Sequence, residues 1–196
     1  MELVKRAVYT AAKGMAERRE LRRILREGSC GGLAEITEER LAASGCRVIV
    51  LDFDGVLAPH GYAEPVPAAR AWLDRCVGFA GLQRIYVLSN KPSAVRREFF
   101  AAHYPAIRFV TGVRKKPYPE GLQGIISDEG VLPRQVLIVD DRLLTGILAA
   151  VLAGAGSIYI TGPYRDFRHA PAAELFFALL RVVERGVLVA GSASLP

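Results

Sequence analysis

Cysteine is sparse in this 196-residue chain, and its three copies, Cys30, Cys46 and Cys76, stand far apart. An odd number at such distances offers neither a metal-ligand spacing nor a disulfide framework, which favours a reducing, cytoplasmic compartment. Histidine is equally thin: His60, His103 and His169 form no cluster and read as surface or packing residues. No compact apolar segment followed by a cleavage site opens the chain, so no secretory leader is expected. Internal repeats and low-complexity linkers are missing too, which leaves one domain as the natural division. Aromatic residues do not interleave with the basic ones, and this argues against a nucleic-acid partner.

What is present is a globular composition, 51% hydrophobic and 23% charged. The net charge of +6 is concentrated at the front, where residues 1–28 hold eight Lys or Arg against four Glu. That segment is expected to be a basic helix with Leu3, Val4, Ala7, Val8, Ala11 and Met15 on one face. Such a helix either packs on the domain or lies peripherally on an anionic membrane surface. Residues 29–189 are expected to form an α/β domain, and 190–196 a loose tail. From Leu143 to Tyr164 no residue is charged, a length that could span a bilayer. Gly154, Gly156 and Ser157 interrupt it, and a buried helix, a stop and a buried strand explain it better.

Short apolar runs predict strands at Val48–Leu51, Ile85–Leu88, Ile107–Val110, Val136–Val139 and Ser157–Ile160. Helical patterns lie between and after them: Pro67–Val77, Ser93–His103, Pro119–Asp128, Leu143–Leu152 and Pro171–Val187. Continuous rather than alternating hydrophobicity, with helices interposed, predicts a three-layer, doubly wound parallel α/β sheet. Chemistry is then expected at the carboxyl ends of the strands.

The sequence places polar clusters there. Val48 to Gly61 reads VIVLDFDGVLAPHG, a buried strand that runs into Asp52 and Asp54 and then a glycine. Carboxylates that close repel unless a cation or a shared proton intervenes. Ser89-Asn90 ends the second strand and precedes a helix, so hydroxyl, amide and backbone N–H groups can meet an anion there. Lys115-Lys116-Pro117 supplies positive charge, and Asp140-Asp141 closes the fourth strand. Carboxylates for a divalent ion, donors for phosphate and a lysine for balance describe a phosphoryl-transfer site.

The order DFDGV, SN, KKP and DDRLLTG resembles the four motifs of the haloacid dehalogenase-like (HAD) phosphatases. AEITEERLAASGCRVIVLDFDGVLAPHG, YVLSNKP, VRKKPYPEGL and VLIVDDRLLTG are more narrowly similar to the phosphatidylglycerophosphate phosphatase branch. The likeness covers roughly residues 33–162. It implies an Mg²⁺-dependent phosphatase with Asp52 as nucleophile and Asp54 as general acid, then base. It further implies Ser89 and Asn90 on the phosphoryl oxygens and Lys116 offsetting charge. Mg²⁺ would be held by Asp52, Asp141 and the backbone carbonyl of Asp54.

Where the family usually has a further acidic residue, this chain has Gly146, with Asp140 available to restore the count. Restoring a carboxylate at 146 is expected to lower the metal requirement if the helix there tolerates it. The intervals between motifs are too short for a cap domain, so the site is expected to be open. An open site suits a phosphate on something large, such as a lipid headgroup. The alternatives are a soluble phosphatase of a sugar phosphate or nucleotide, and a phosphate-binding scaffold without turnover.

Overall fold

A computed structural model describes residues 1–190; the tail expected over 190–196 falls, beyond Ala190, outside the described residues. Two helices open the chain, α1 (Glu2–Ala16) and α2 (Arg18–Glu27), where a single one was expected. A two-residue strand β1 (Ser29–Cys30) and helix α3 (Glu38–Ser44) follow, neither expected from the sequence patterns. The repeating part is β2 (Val48–Leu51), α4 (Pro67–Cys76), β3 (Arg84–Val87), α5 (Ala94–His103), β4 (Ile107–Phe109), α6 (Glu120–Glu129) and β5 (Val136–Asp140). A π-helical turn at Leu143–Ile147 leads into α7 (Leu148–Ala153), β6 (Gly156–Ile160) and the long α8 (Pro171–Ala190).

All pairings are parallel, in the order β1-β6-β5-β2-β3-β4. The chain therefore winds outward in both directions from β2, and the reversal lies between β2 and β5. That position is where a doubly wound sheet leaves a crevice at its carboxyl edge. Strand β2 is buried along its whole length because it is covered on both faces. Val48 and Val50 pack with Leu122, Ile125 and Ala149 on one side. Ile49 and Leu51 pack with Trp72, Leu73 and Phe100 on the other. This is why the strand carries no polar alternation.

Local chemistry sets the helix ends. Ser93 caps α5 by accepting the Arg96 N–H at 3.3 Å, and Thr37 caps α3 through Arg40 at 3.3 Å. Pro67 opens α4 at a position whose N–H has no helical partner. The apolar stretch after Leu143 is a buried helix, a glycine stop and a strand, as its interruptions imply. Among the described residues no helix is long and apolar enough to cross a membrane. Leu21 and Ile24 of α2 are buried against Leu143, Ile147, Leu148 and Tyr159. Half of the basic N-terminal segment is thus part of the packed body.

Candidate active site

Strands β2 and β5 are hydrogen-bonded neighbours, with Leu51 opposite Val139. Their next residues are therefore delivered side by side at the sheet's edge. The Asp52 N–H donates to the Val139 carbonyl at 2.9 Å, which pins Asp52 beside Asp140 and Asp141. Carboxylate oxygens of Asp52, Asp140 and Asp141 all lie within 4.8 Å of one another. Lys116 enters the cluster from the other side, with Nζ 2.9 Å from Asp52 Oδ1 and 2.5 Å from Asp140 Oδ2.

All four residues are nearly closed to solvent. Burial pushes the Asp52 carboxyl well above its ordinary value, and the nearby carboxylates add to this while Lys116 opposes it. Asp141 is pushed up to about 7 by burial and by Asp140, against the pull of Arg181. Burial works against the Lys116 ammonium, yet Asp140 and Asp52 together hold it above the usual lysine range. Three converging carboxylates thus face two cations, Lys116 and Arg181, an excess of negative charge that fits a hard divalent cation with oxygen ligands.

Two glycines make this closeness possible. Gly55 sits at φ +87°, and a Cβ there would come within 2.5 Å of Asp141 Oδ2. Gly146 is closer still: a Cβ would meet Asp140 Oδ2 at 1.9 Å and its Cγ at 2.3 Å. Asp140 cannot swing aside, because Lys116 holds Oδ2 and the Arg142 N–H donates to Oδ1 at 2.9 Å. The condition on which a carboxylate at 146 was expected to assist the metal, that the helix tolerate the side chain, is therefore not met, since Asp140 occupies that space. Gly146→Ala should cost about 1–3 kcal/mol by overpacking, and Gly146→Asp more, because it adds a like charge. A thermal melt of both variants checks this; unchanged midpoints would refute the packing argument.

The remaining motif residues are placed differently from one another. Ser89 is buried, and its Oγ accepts the Lys91 N–H at 3.1 Å, which leaves its own O–H free to donate. Asn90 spends its amide on the backbone of Lys116: Oδ1 accepts the Lys116 N–H at 2.7 Å and Nδ2 donates to the Lys116 carbonyl at 3.2 Å. Asp54 lies outside the carboxylate cluster. Its two oxygens accept from Arg96 Nη2 at 2.7 Å and Nη1 at 3.0 Å, and the Arg96 guanidinium stacks on Phe53 at 3.9 Å.

Sequence patterns missed the residues that close the site. The inner face of α8 lies over the cluster, and Asp52, Lys116 and Asp141 are only 9%, 2% and 1% exposed. The expected open site is thus covered, by one helix instead of a cap domain. Arg181 Nε donates to Asp141 Oδ2 at 2.7 Å, while its buried Nη1 and Nη2 have no hydrogen-bond partner among the described residues. Glu184 accepts from Arg142 Nε at 2.8 Å and from the Leu143 N–H at 3.0 Å. Glu174 accepts the His60 N–H at 2.9 Å, and His60 stacks on Phe177 with centroids 4.0 Å apart. Glu174, Phe177, Arg181 and Glu184 fall at spacings of three, four and three, one stripe of α8. Charged residues at that period inside an apolar helix were the signal available. Arg96, by contrast, sits in an ordinary amphipathic pattern with nothing to single it out.

A cavity of about 590 Å³ leads in from the surface, between α1 and α8, to Asn90, Lys116 and Arg142. Leu3 and Ala7 line one wall, and Phe176, Phe177 and Leu180 the other.

A family model described as mitochondrial PGP phosphatase matches residues 22–165. Among curated proteins none matches the chain. Solved structures resemble the chain at low identity. One is an uncharacterized protein from Corynebacterium glutamicum, 25% identical, TM-score 0.46, covering 72% of this chain and 93% of that one. Another is a cobalt-bound deoxy-D-mannose-octulosonate 8-phosphate phosphatase from Haemophilus influenzae, 21% identical, TM-score 0.45, covering 59% and 68%. A predicted phosphoglycolate phosphatase from Haemophilus somnus is 16% identical, TM-score 0.43, covering 62% and 88%.

Proposed function

The chain belongs to the PGP phosphatase family, and we propose that it acts as an HAD-type phosphatase, using Mg²⁺ and an aspartyl-phosphate on Asp52 to hydrolyse phosphatidylglycerophosphate at a membrane surface. The observation that carries this reading is the convergence of Asp52, Asp140 and Asp141 with Lys116 at the β2–β5 crevice.

In this reading an Asp52 oxygen attacks phosphorus, and the bond from phosphorus to the glycerol oxygen breaks as the new one forms. Asp54 gives its proton to the departing alkoxide. It then takes a proton from the water that cleaves the aspartyl-phosphate and frees inorganic phosphate. Arg96 holds the Asp54 carboxyl in place through both of its oxygens. Ser89 donates to a phosphoryl oxygen, and Asn90 acts by fixing the backbone of Lys116. Arg181 offers Nη1 and Nη2 to an anionic oxygen, which would satisfy groups that otherwise cost about 1–3 kcal/mol when buried alone. Asp52, Asp141 and the backbone carbonyl of Asp54 are the groups to hold Mg²⁺, with Asp140 completing the acidic cluster. The ion would supply the charge that lets an anionic phosphate approach a carboxylate.

Phosphate release from p-nitrophenyl phosphate and from phosphatidylglycerophosphate in vesicles, each with Mg²⁺ and with chelator, tests the proposal. Turnover should need Mg²⁺ and favour the lipid. Because Asp141 titrates near 7 without metal, protons compete for it, and the Mg²⁺ requirement should rise as pH falls through about 7. Arg181 competes for the same carboxylate, so the requirement should be high throughout. Turnover that survives chelation would refute the metal assignment. A preference for soluble sugar phosphates would refute the lipid.

A further inference from the structure

Helix α8 is built inside out. Its charged residues turn inward: Glu174, Arg181 and Glu184 are buried, and the half-buried Arg185 donates to Tyr159 Oη at 2.8 Å. Its exposed side is apolar, with Leu175, Phe176, Leu179, Val182, Val183, Val187 and Val189 each between 50% and 66% exposed. No charged residue of the helix stands exposed among those described. The usual surface helix has the opposite arrangement, and a continuous apolar face of this kind marks an interaction surface. Helix α1 adds exposed Leu3, Val4 and Val8, and Leu3 shares with Phe176 of α8 the cavity that reaches Lys116.

The charges nearby decide what covers this face. The cavity lining carries Arg6, Lys91, Lys115, Lys116 and Arg142, against the single carboxylate of Glu184, which is already paired with Arg142. Lys91 and Lys115 are exposed. An apolar face rimmed by cations suits the boundary between acyl chains and anionic headgroups. A second copy placed face to face would set like-charged rims against each other.

Resting on the function proposed above, we propose that the outer face of α8, together with the exposed apolar residues of α1, docks on an anionic lipid bilayer. The groove between the two helices then opens at the membrane. A lipid phosphate can reach Lys116 there while its acyl chains stay in the bilayer, along the apolar walls formed by Leu3, Phe176 and Leu180.

The test is co-sedimentation of the full chain with vesicles of phosphatidylcholine alone, and of phosphatidylcholine and phosphatidylglycerol in equal parts. The parent should partition onto the anionic vesicles about tenfold better. The triple variant Leu175→Gln, Leu179→Gln, Val182→Gln changes exposed positions that do not line the groove. It should lose binding by about tenfold or more and keep its Mg²⁺-dependent turnover of p-nitrophenyl phosphate. Hydrogen exchange on the parent adds a reading free of mutation: anionic vesicles should slow exchange in 171–190. A parent that stays in the supernatant, a variant that binds as the parent does, or unchanged exchange in α8 would overturn the docking face. So would a parent dimer that the variant makes monomeric, since a second copy would then cover α8. Absence of turnover on p-nitrophenyl phosphate, by contrast, would count against the phosphatase mechanism and leave the vesicle result to be read by itself.

Discussion

Asp52→Asn should abolish turnover, by a factor on the order of 10⁴ or more, and leave the fold intact. The amide oxygen is a poor nucleophile, and the covalent route through an aspartyl-phosphate closes when it cannot attack. The fold should hold because the crevice carries an excess of negative charge. Asp52, Asp140 and Asp141 face Lys116 with Arg181 at the edge, so one charge fewer relieves repulsion. Lys116 keeps Asp140 at 2.5 Å. Single-turnover kinetics with an aryl phosphate, together with a melt, read both halves. Residual activity above about a hundredth of the parent's would remove Asp52 from the nucleophile's role, against the far larger loss a covalent catalyst implies. A lowered melting temperature would mean the Lys116 pair contributes more than the repulsion costs.

Lys116→Met should be damaging in both respects. The substitution keeps the length and loses the charge at a residue 2% exposed. Three buried carboxylates would then share no ammonium, and breaking a buried pair from one side costs about 3–5 kcal/mol. Activity should fall by about 10³-fold, because the cation that offsets nucleophile and phosphate is gone. The two losses can be separated with Mg²⁺, which binds the same carboxylates. Added Mg²⁺ should raise the variant's melting temperature more than the parent's, and it should not restore the rate. Lys115→Met is the control: Lys115 is exposed, and its loss should leave stability unchanged. Equal effects at both lysines would mean that neither is specific to the site.

The central strands were legible from the residues because each is covered on both faces and must be apolar throughout. Val48–Leu51 is the clearest case, with the same bounds in pattern and structure. Helix α3 and the two-residue β1 were not legible. Seven residues carry little periodicity, and β1 exists only through its pairing with Tyr159 and Ile160. The break between α1 and α2 was also hidden, since no glycine or proline marks Glu17.

The sequence by itself determined that carboxylates, a seryl hydroxyl and a lysine would gather at one edge of a parallel sheet. Side chains just beyond buried strands have nowhere else to go once the strands align in parallel. Tertiary structure decided how those groups share their charges, because partners distant in the chain meet only after packing. Arg96 takes Asp54, 42 residues away, and Arg181 takes Asp141, 40 away. The fold also gave the space beside Gly146 to Asp140 and drew α8 over the crevice with its polar stripe inward. A helix with one charged and one apolar side reads the same in sequence whichever side is buried. Only packing against Asp141, Arg142 and His60 turned the charges in and left the apolar side exposed.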